Sequence, residues 1–360
     1  MSTVDPNNDA GGDDLRDMVL DAAGRLFADR VGRELWQATE AGEFPRADWD
    51  ALVEMGLPRA LRAEADGGAG LALADGLALA ELAGHHALPL PLAETLVGNH
   101  LRAGLDGGVD DGVVTLAAAD SRLQLRRVGS GWRVDGTLDR IAWGRHAAYV
   151  IADADADGAP QRVLLAADDL DWRHDASLAG EPRDSARLAD APVLAAADCP
   201  VHTPTVQHWG ALLRALQAAG AMRRALALAT DYANERRQFG RPIARFQAVQ
   251  QQLAAMAGEV ATAGTAAEAA ARAIAADRDA ALMIAIGKAR VGEAAGRSAA
   301  IAHQVLAAMG FTQEHELQYF TRRLWSWRDE FGAEPHWQAI IGEHAIAAGG
   351  DGLWPLVSGL

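Results

Sequence analysis

One cysteine in 360 residues, Cys199, excludes an intrachain disulfide and any cysteine-built metal cluster. Lysine is as scarce: Lys288 is the only one, and every other cation of the side chains is arginine or histidine. Together with the abundance of alanine, this reads as a coding bias before an adaptation. No stretch of about 18 apolar residues runs free of charge, so the sequence predicts no membrane span. The opening MSTVDPNNDAGGDD has neither a basic nor an apolar region, and the expectation is a cytoplasmic chain without a signal peptide. Basic charge is in deficit as well. The formal net charge of −16 repels phosphate backbones, which argues against nucleic acid as a general partner, although a local basic cluster can still hold a small anion. There is no GxGxxG after a strand, no Walker loop, no GxSxG and no HExxH. The eleven histidines are scattered, His85 and His86 are neighbours that a helix would point apart, and no metal site is expected.

What is present is half hydrophobic and 23% charged, enough to bury a large core, and its patterning changes twice. Residues 1–12 read as a disordered tail. From 13 to 112 the apolar spacing is three and four: Leu15, Met18, Val19, Ala22 and Leu26, then Trp49, Leu52 and Val53. The run Asp66–Gly70 breaks it as a tight loop, a helix follows from Leu73, and Pro89 and Pro91 force an extended connection. From 113 to 200 the period is two. Leu123 and Leu125 alternate with Arg122, Gln124 and Arg126, and Trp132, Val134 and Leu138 share one parity, which predicts antiparallel strands closing as a barrel or sandwich. From 205 to 360 helical spacing returns, as in Trp209, Leu212, Leu213 and Leu216, and predicts a four-helix bundle. The fold class is therefore α+β, in the order helical domain, β domain, helical bundle.

Two runs carry chemistry. In Asn234–Ile243 a helix ends, with Gly240 to cap it and Pro242 unable to continue it. Arg236, Arg237, Arg241 and Arg245 cluster there, and a planar guanidinium suits bidentate phosphate binding. The same cations would also complement a helix C-terminus without any ligand. In His303–Thr312 small residues and a glycine follow a long helix, which allows either close approach of a ligand or an ordinary helical corner.

The segments ATDYANERRQFGRPIARFQAVQQQLAAM and HQVLAAMGFTQEHELQYFTRRLW together resemble the acyl-CoA dehydrogenase family. The likeness extends in order over roughly residues 15–342, through the GGAG and PLPLAET stretches and Trp132–Gly136. It implies FAD, a carboxylate that takes the α-proton of an acyl-CoA, and hydride transfer to the flavin. It also implies a bundle that builds an oligomer, in which one subunit completes the adenosine half of its neighbour's FAD. Carried over, the cofactor-binding residues are Arg236, Gln238, Phe239, Gln304, Ala308 and Gly310, and no metal is involved.

The departures from the family pattern matter equally. The loop over the flavin ring is cut to Leu116–Ser121, and the Trp-Ile-Thr contact to that ring is Arg140-Ile141-Ala142 here. One family position for the base falls near Gly210, with no carboxylate beside it. The other falls on Phe331, one residue past Glu330, within Asp329-Glu330-Phe331-Gly332. Glu330 is thus the candidate base, or else a helix-end charge paired with Arg322, Arg323 or Arg328. The resemblance is to the short, base-lacking subunit of heteromeric α2β2 acyl-CoA dehydrogenases of bacterial steroid side-chain degradation. Its partners would be an acyl-CoA, a homologous subunit or itself, and an acceptor like electron-transfer flavoprotein. A self-sufficient homo-oligomer using Glu330, in fatty-acid metabolism more broadly, and a flavin-free binding or scaffold protein are the alternatives.

Overall fold

The computed structural model describes residues 6–105, 112–118, 122–168, 170–200, 203–276 and 280–358. They divide into two compact units, 1–83 with 88–210, and 84–87 with 211–360. The helical and β regions that the sequence separates at 112 therefore belong to one unit.

Its helices are α1 (Pro6–Arg30), α2 (Arg33–Glu40), α3 (Arg46–Glu54), α4 (Leu73–His85) and α5 (Leu92–Ala103). Helix α1 begins inside the stretch read as a tail, and residues 1–5 lie outside the described residues. Seven strands follow: β1 (Val114–Leu116), β2 (Leu123–Val128), β3 (Gly131–Ala142), β4 (Tyr149–Ala156), β5 (Ala159–Ala166), β6 (Arg183–Pro192) and β7 (Ala195–Asp198). The alternation in β2 does what the sequence requires, burying Leu123 and Leu125 and exposing Gln124 and Arg126. One apolar core takes Phe27 from α1, Trp49 and Leu52 from α3, Leu79 from α4, Leu96 from α5, and Val134, Leu138, Val150 and Val163 from the sheet. Neither layer has a second face to bury alone, which is why the two regions condense together.

The expected antiparallel barrel or sandwich is corrected here. The strands form one mixed sheet in the order β6-β3-β2-β4-β5-β7, with β1 parallel to β4, and no closed barrel forms among the described residues. Both β1 and the end of β2 lie parallel to β4, with the β2–β3 hairpin intervening in sequence between β1 and β4. Alternation identifies strands but is blind to their partners. The sheet also fixes the start of the next helix. Asp153 of β4 accepts from the Val206 amide at 2.5 Å and from Arg162 Nε at 3.0 Å, capping the first turn from a distant strand.

The second unit holds most of α6 (Val206–Glu235), then α7 (Gln247–Ala275), α8 (Ala280–Leu306), α9 (Leu317–Asp329) and α10 (Glu334–Ser358), the last broken at Gly349, where φ is 67°. A two-residue hairpin, β8 (Arg237–Gln238) with β9 (Arg241–Pro242), separates α6 from α7. Helices α7 and α8 approach so closely that a Cβ on Gly287 would lie 3.1 Å from the Ala266 carbonyl. Glu259 of α7 joins them across the surface, accepting from Arg297 Nη1 at 2.9 Å and pairing with Arg290 of α8. Among the described residues, no helix is long and apolar enough to cross a membrane.

Candidate functional site

Helix α6 stops at Glu235, earlier than a cap by Gly240 would place it. Its end is a hairpin rather than a capped terminus: the Arg236 amide still donates to Tyr232 O, and the Arg236 carbonyl accepts from the Ile243 amide, both at 2.8 Å. Gln238 pairs with Arg241, which leaves Phe239 and Gly240 as the two turn residues, with φ of 52° and 80°. Two positive φ values define the tight turn that suits a right-handed hairpin. Asparagine or glycine normally occupies the first of these positions, and a phenylalanine there is strained. Phe239 is nevertheless 92% exposed, touching only the edge of Phe246 at 6.1 Å, while Arg241 covers Phe246 at 4.3 Å. Arg236, Arg237, Arg241 and Arg245 all lie open to solvent, and none pairs with a carboxylate among the described residues.

The second run ends α8. Gln304 is exposed on the last turn, and Ala307, with φ of 49°, begins a 3-10 turn to Phe311 on which Ala308 is exposed. Gly310 is buried. A Cβ there would stand 2.9 Å from His303 Nδ1 and 3.2 Å from Leu317 Cδ2, so the glycine makes room for the chain's own side chains. Tyr232, one turn before Arg236, meets His315 edge-on at 6.2 Å, and Arg224 reaches Glu316 at 3.2 Å. Both runs therefore sit at the same end of the second unit.

Glu330 does not join them. Its Oε2 accepts from Arg214 Nε at 2.7 Å, and Arg214 Nη1 donates to Gln217 at 2.6 Å. Arg214 of α6 and Arg236, the residue just past its end, are 22 positions apart, about 33 Å along a helix axis. The pair is deep: Arg214 is 1% and Glu330 15% exposed. This partner is an arginine of α6, which the sequence reading did not consider. Phe331, at the family's base position, is buried with φ of 55°, its ring 5.7 Å from the Arg214 guanidinium. Two side-chain donors hold this turn. Lys288 Nζ donates to Arg328 O at 2.6 Å and Gly332 O at 2.9 Å, and Trp337 Nε1 donates to Phe331 O and Gly332 O, both at 3.1 Å. Burial, chiefly, lowers the Lys288 pKa to about 8, against the opposing pull of Glu334, Glu330 and Asp329. Arg214, Lys288 and Trp337 are the neighbours of Glu330 and its turn that sequence reasoning passed over. The signal for Lys288 was available, since the chain's one lysine falls within the apolar stripe of α8.

At the ring-half positions, the residues present do not suit a flavin ring. Arg140 adopts φ of 53°, donates its amide to Ser185 Oγ at 3.1 Å and reaches Asp175 at 3.7 Å. Ala142 brings no hydroxyl, and its carbonyl is taken by Thr115 Oγ1 at 2.6 Å. Of the shortened loop, residues 119–121 lie outside the described residues. At the adenosine-half positions, unpaired guanidinium groups and an exposed amide do suit a pyrophosphate and a nucleoside.

Residues 205–342 match the family description "Acyl-CoA dehydrogenase, C-terminal domain". A curated relative, acyl-CoA dehydrogenase FadE34 of Mycobacterium tuberculosis, is 29% identical over 342 residues, 90% of this chain and 46% of that protein. The chain thus spans about half of that relative's length. The ChsE4–ChsE5 complex of Mycobacterium tuberculosis aligns with a TM-score of 0.84 and 22% identity over 96% of this chain and 99% of that one. A steroid ACAD, the Tcur3481–Tcur3483 G363A variant, aligns at 0.85 and 24% over 94% and 99%. At those identities the structures speak for the fold. Motif, family match and fold point the same way: residues 205–342 carry an acyl-CoA dehydrogenase C-terminal domain, and the chain as a whole shares the fold of the solved acyl-CoA dehydrogenase structures.

Proposed function

We propose that this chain is the base-lacking subunit of a heteromeric acyl-CoA dehydrogenase, completing the adenosine half of a FAD whose ring is held by a homologous partner. The observation that carries this reading is the contrast in ion pairing: the arginines at the hairpin have no carboxylate partner among the described residues, in a chain of net charge −16, while Glu330 is bound to Arg214. The Arg236 guanidinium would hold the pyrophosphate, with Gln238 beside it, Phe239 against the nucleoside and the Gln304 amide completing the shell across the subunit boundary. When bound, FAD accepts the hydride from the β-carbon. The carboxylate that takes the α-proton belongs to the partner, because Glu330 Oε2 is engaged by Arg214 and position 331 is a buried phenylalanine. The fold shared with a steroid ACAD supports an acyl-CoA with a steroid side chain as substrate, and a flavoprotein as electron acceptor.

The test is co-expression with a base-containing homologue, read by flavin absorption and subunit stoichiometry. We expect flavin in the complex and little in this chain alone. A charge-assisted contact contributes about 1.5–3 kcal/mol, so Arg236→Ala should weaken FAD retention roughly ten- to a hundredfold. Flavin bound by this chain alone, with turnover that collapses in Glu330→Gln, would overturn the proposal.

A further inference from the structure

Helix α8 ends in a column of three rings. The His303 imidazole lies between Phe311, at a centroid distance of 4.2 Å with planes 23° apart, and Trp325 of α9, at 5.7 Å and 13°. Its Nε2 lies 2.9 Å from Thr321 Oγ1. The Thr321 hydroxyl donates its one hydrogen to Leu317 O at 3.3 Å, so it accepts from His303, and Nε2 carries the proton. Nδ1 is then a bare lone pair. It is buried without a hydrogen-bond partner and faces the α-carbon of Gly310. That arrangement suits a neutral ring and no other. A second proton on Nδ1 would be a buried donor with nothing to receive it, which costs about 1–3 kcal/mol. The facing side chains are uncharged: Phe311 from the turn, Thr321 and Trp325 from α9, while Arg322 turns to the Tyr319 ring at 5.5 Å. Burial alone lowers this imidazole's pKa.

The turn that the column supports is strained, with Ala307 at φ of 49°, and it presents Phe311 at 69% exposure next to Gln304 and Ala308. A strained turn persists only where its surroundings over-determine it. We propose that His303 is a positioning residue, holding the Ala307–Phe311 turn in place only while its ring is neutral. Its link to the cofactor rests on the reading under Proposed function. The ring binds fewer protons in the folded chain than in the unfolded one. The stability it contributes is therefore complete above a pH of about 6.5 and is lost as the pH falls below that value.

Burial also lowers the pKa of His85, His86, His100, His146 and His315, so acid sensitivity of the wild type is not diagnostic by itself. The diagnostic quantity is the gap between wild type and His303→Gln, which keeps a donor for Thr321 and never charges. In the full chain, the variant's unfolding midpoint should lie a few degrees below wild type at pH 8, with the gap closing between pH 6.5 and 5. A gap constant with pH overturns the proposal. Should the variant not fold, hydrogen exchange on the wild type decides. Amides of residues 304–316, corrected for intrinsic rates, should lose protection between pH 7.5 and 5.5, and unchanged protection overturns the proposal. ADP, as probe of the adenosine half, should bind the assembled complex several-fold more weakly at pH 5.5 than at 7.5, with His303→Gln showing a flat profile. A turn that loosens in acid while ADP binding stays constant supports the positioning role and counts against the cofactor reading of this turn.

Discussion

The chain uses one backbone device twice, with opposite surroundings. After α6, Phe239-Gly240 turns at φ of 52° and 80°; after α9, Phe331-Gly332 turns at 55° and 95°. Phe331 is buried under Arg214, and its backbone is held by Lys288 and Trp337. Phe239 projects into solvent with only a ring edge for company. A left-handed phenylalanine costs roughly 1–2 kcal/mol wherever it occurs. In the buried turn, packing and two side-chain donors offset that cost inside the chain. In the exposed turn the described residues supply only the hairpin's own hydrogen bonds and the edge of Phe246.

Removing the arginine at each turn should separate the two most. Arg214→Ala removes a fully buried cation hydrogen-bonded to Glu330 and Gln217 and should cost about 3–5 kcal/mol of folding stability. Arg236→Ala removes an exposed, unpaired side chain and should change stability by less than about 0.5 kcal/mol. Denaturant unfolding of the full chain checks both, and similar losses would break the comparison. A methyl group on each glycine comes next. At Gly332 a Cβ would sit 2.8 Å from His336 Cδ2 and Trp337 Nε1, whereas at Gly240 nothing lies within 4 Å. Gly240→Ala should cost the strain alone, about 1–2 kcal/mol, and Gly332→Ala clearly more.

The pH dependence sharpens the buried side further. With its folded pKa lowered to about 8 from 10.5, Lys288 is neutral in the folded chain at pH values where the unfolded chain still binds the proton. Stability attributable to Lys288 should therefore rise from pH 8 to 10.5, and Lys288→Met should flatten that rise. A neutral amine retains two N–H groups for Arg328 O and Gly332 O, so the turn stays closed through the titration. The smallest expected effect is on turnover. Glu330→Gln in an assembled enzyme should lose less than about tenfold at matched flavin content, because general-base loss would be about 10²–10⁴-fold. A thousandfold loss with FAD retained would make Glu330 the base.

The hairpin was legible as a helix end with clustered arginines, since Gly240 and Pro242 announce a break wherever they occur. Its shape was not, because phenylalanine at a left-handed position has no sequence signature. Glu330 was legible as a carboxylate one residue from the expected place. Its partner was not, since Arg214 lies 116 residues away and only packing of α6 against the end of α9 brings them together. Gly310 shows the same limit from the other direction: a glycine marks a close approach, and only the structure shows that His303 is one of the groups that approach it.

The sequence by itself determined the order of helical, β and helical segments, the buried parity of β2, and the two runs that carry the family resemblance, because periodicity and turn chemistry act over a few residues. Tertiary structure alone decided that the sheet is mixed and that the first two segments share a core. It alone decided that a lone lysine clamps a turn, and that one of two Phe-Gly turns is locked while the other stands open. Each of those depends on which distant groups meet in a low-dielectric interior, where a charge or a lone pair must find a partner or go without.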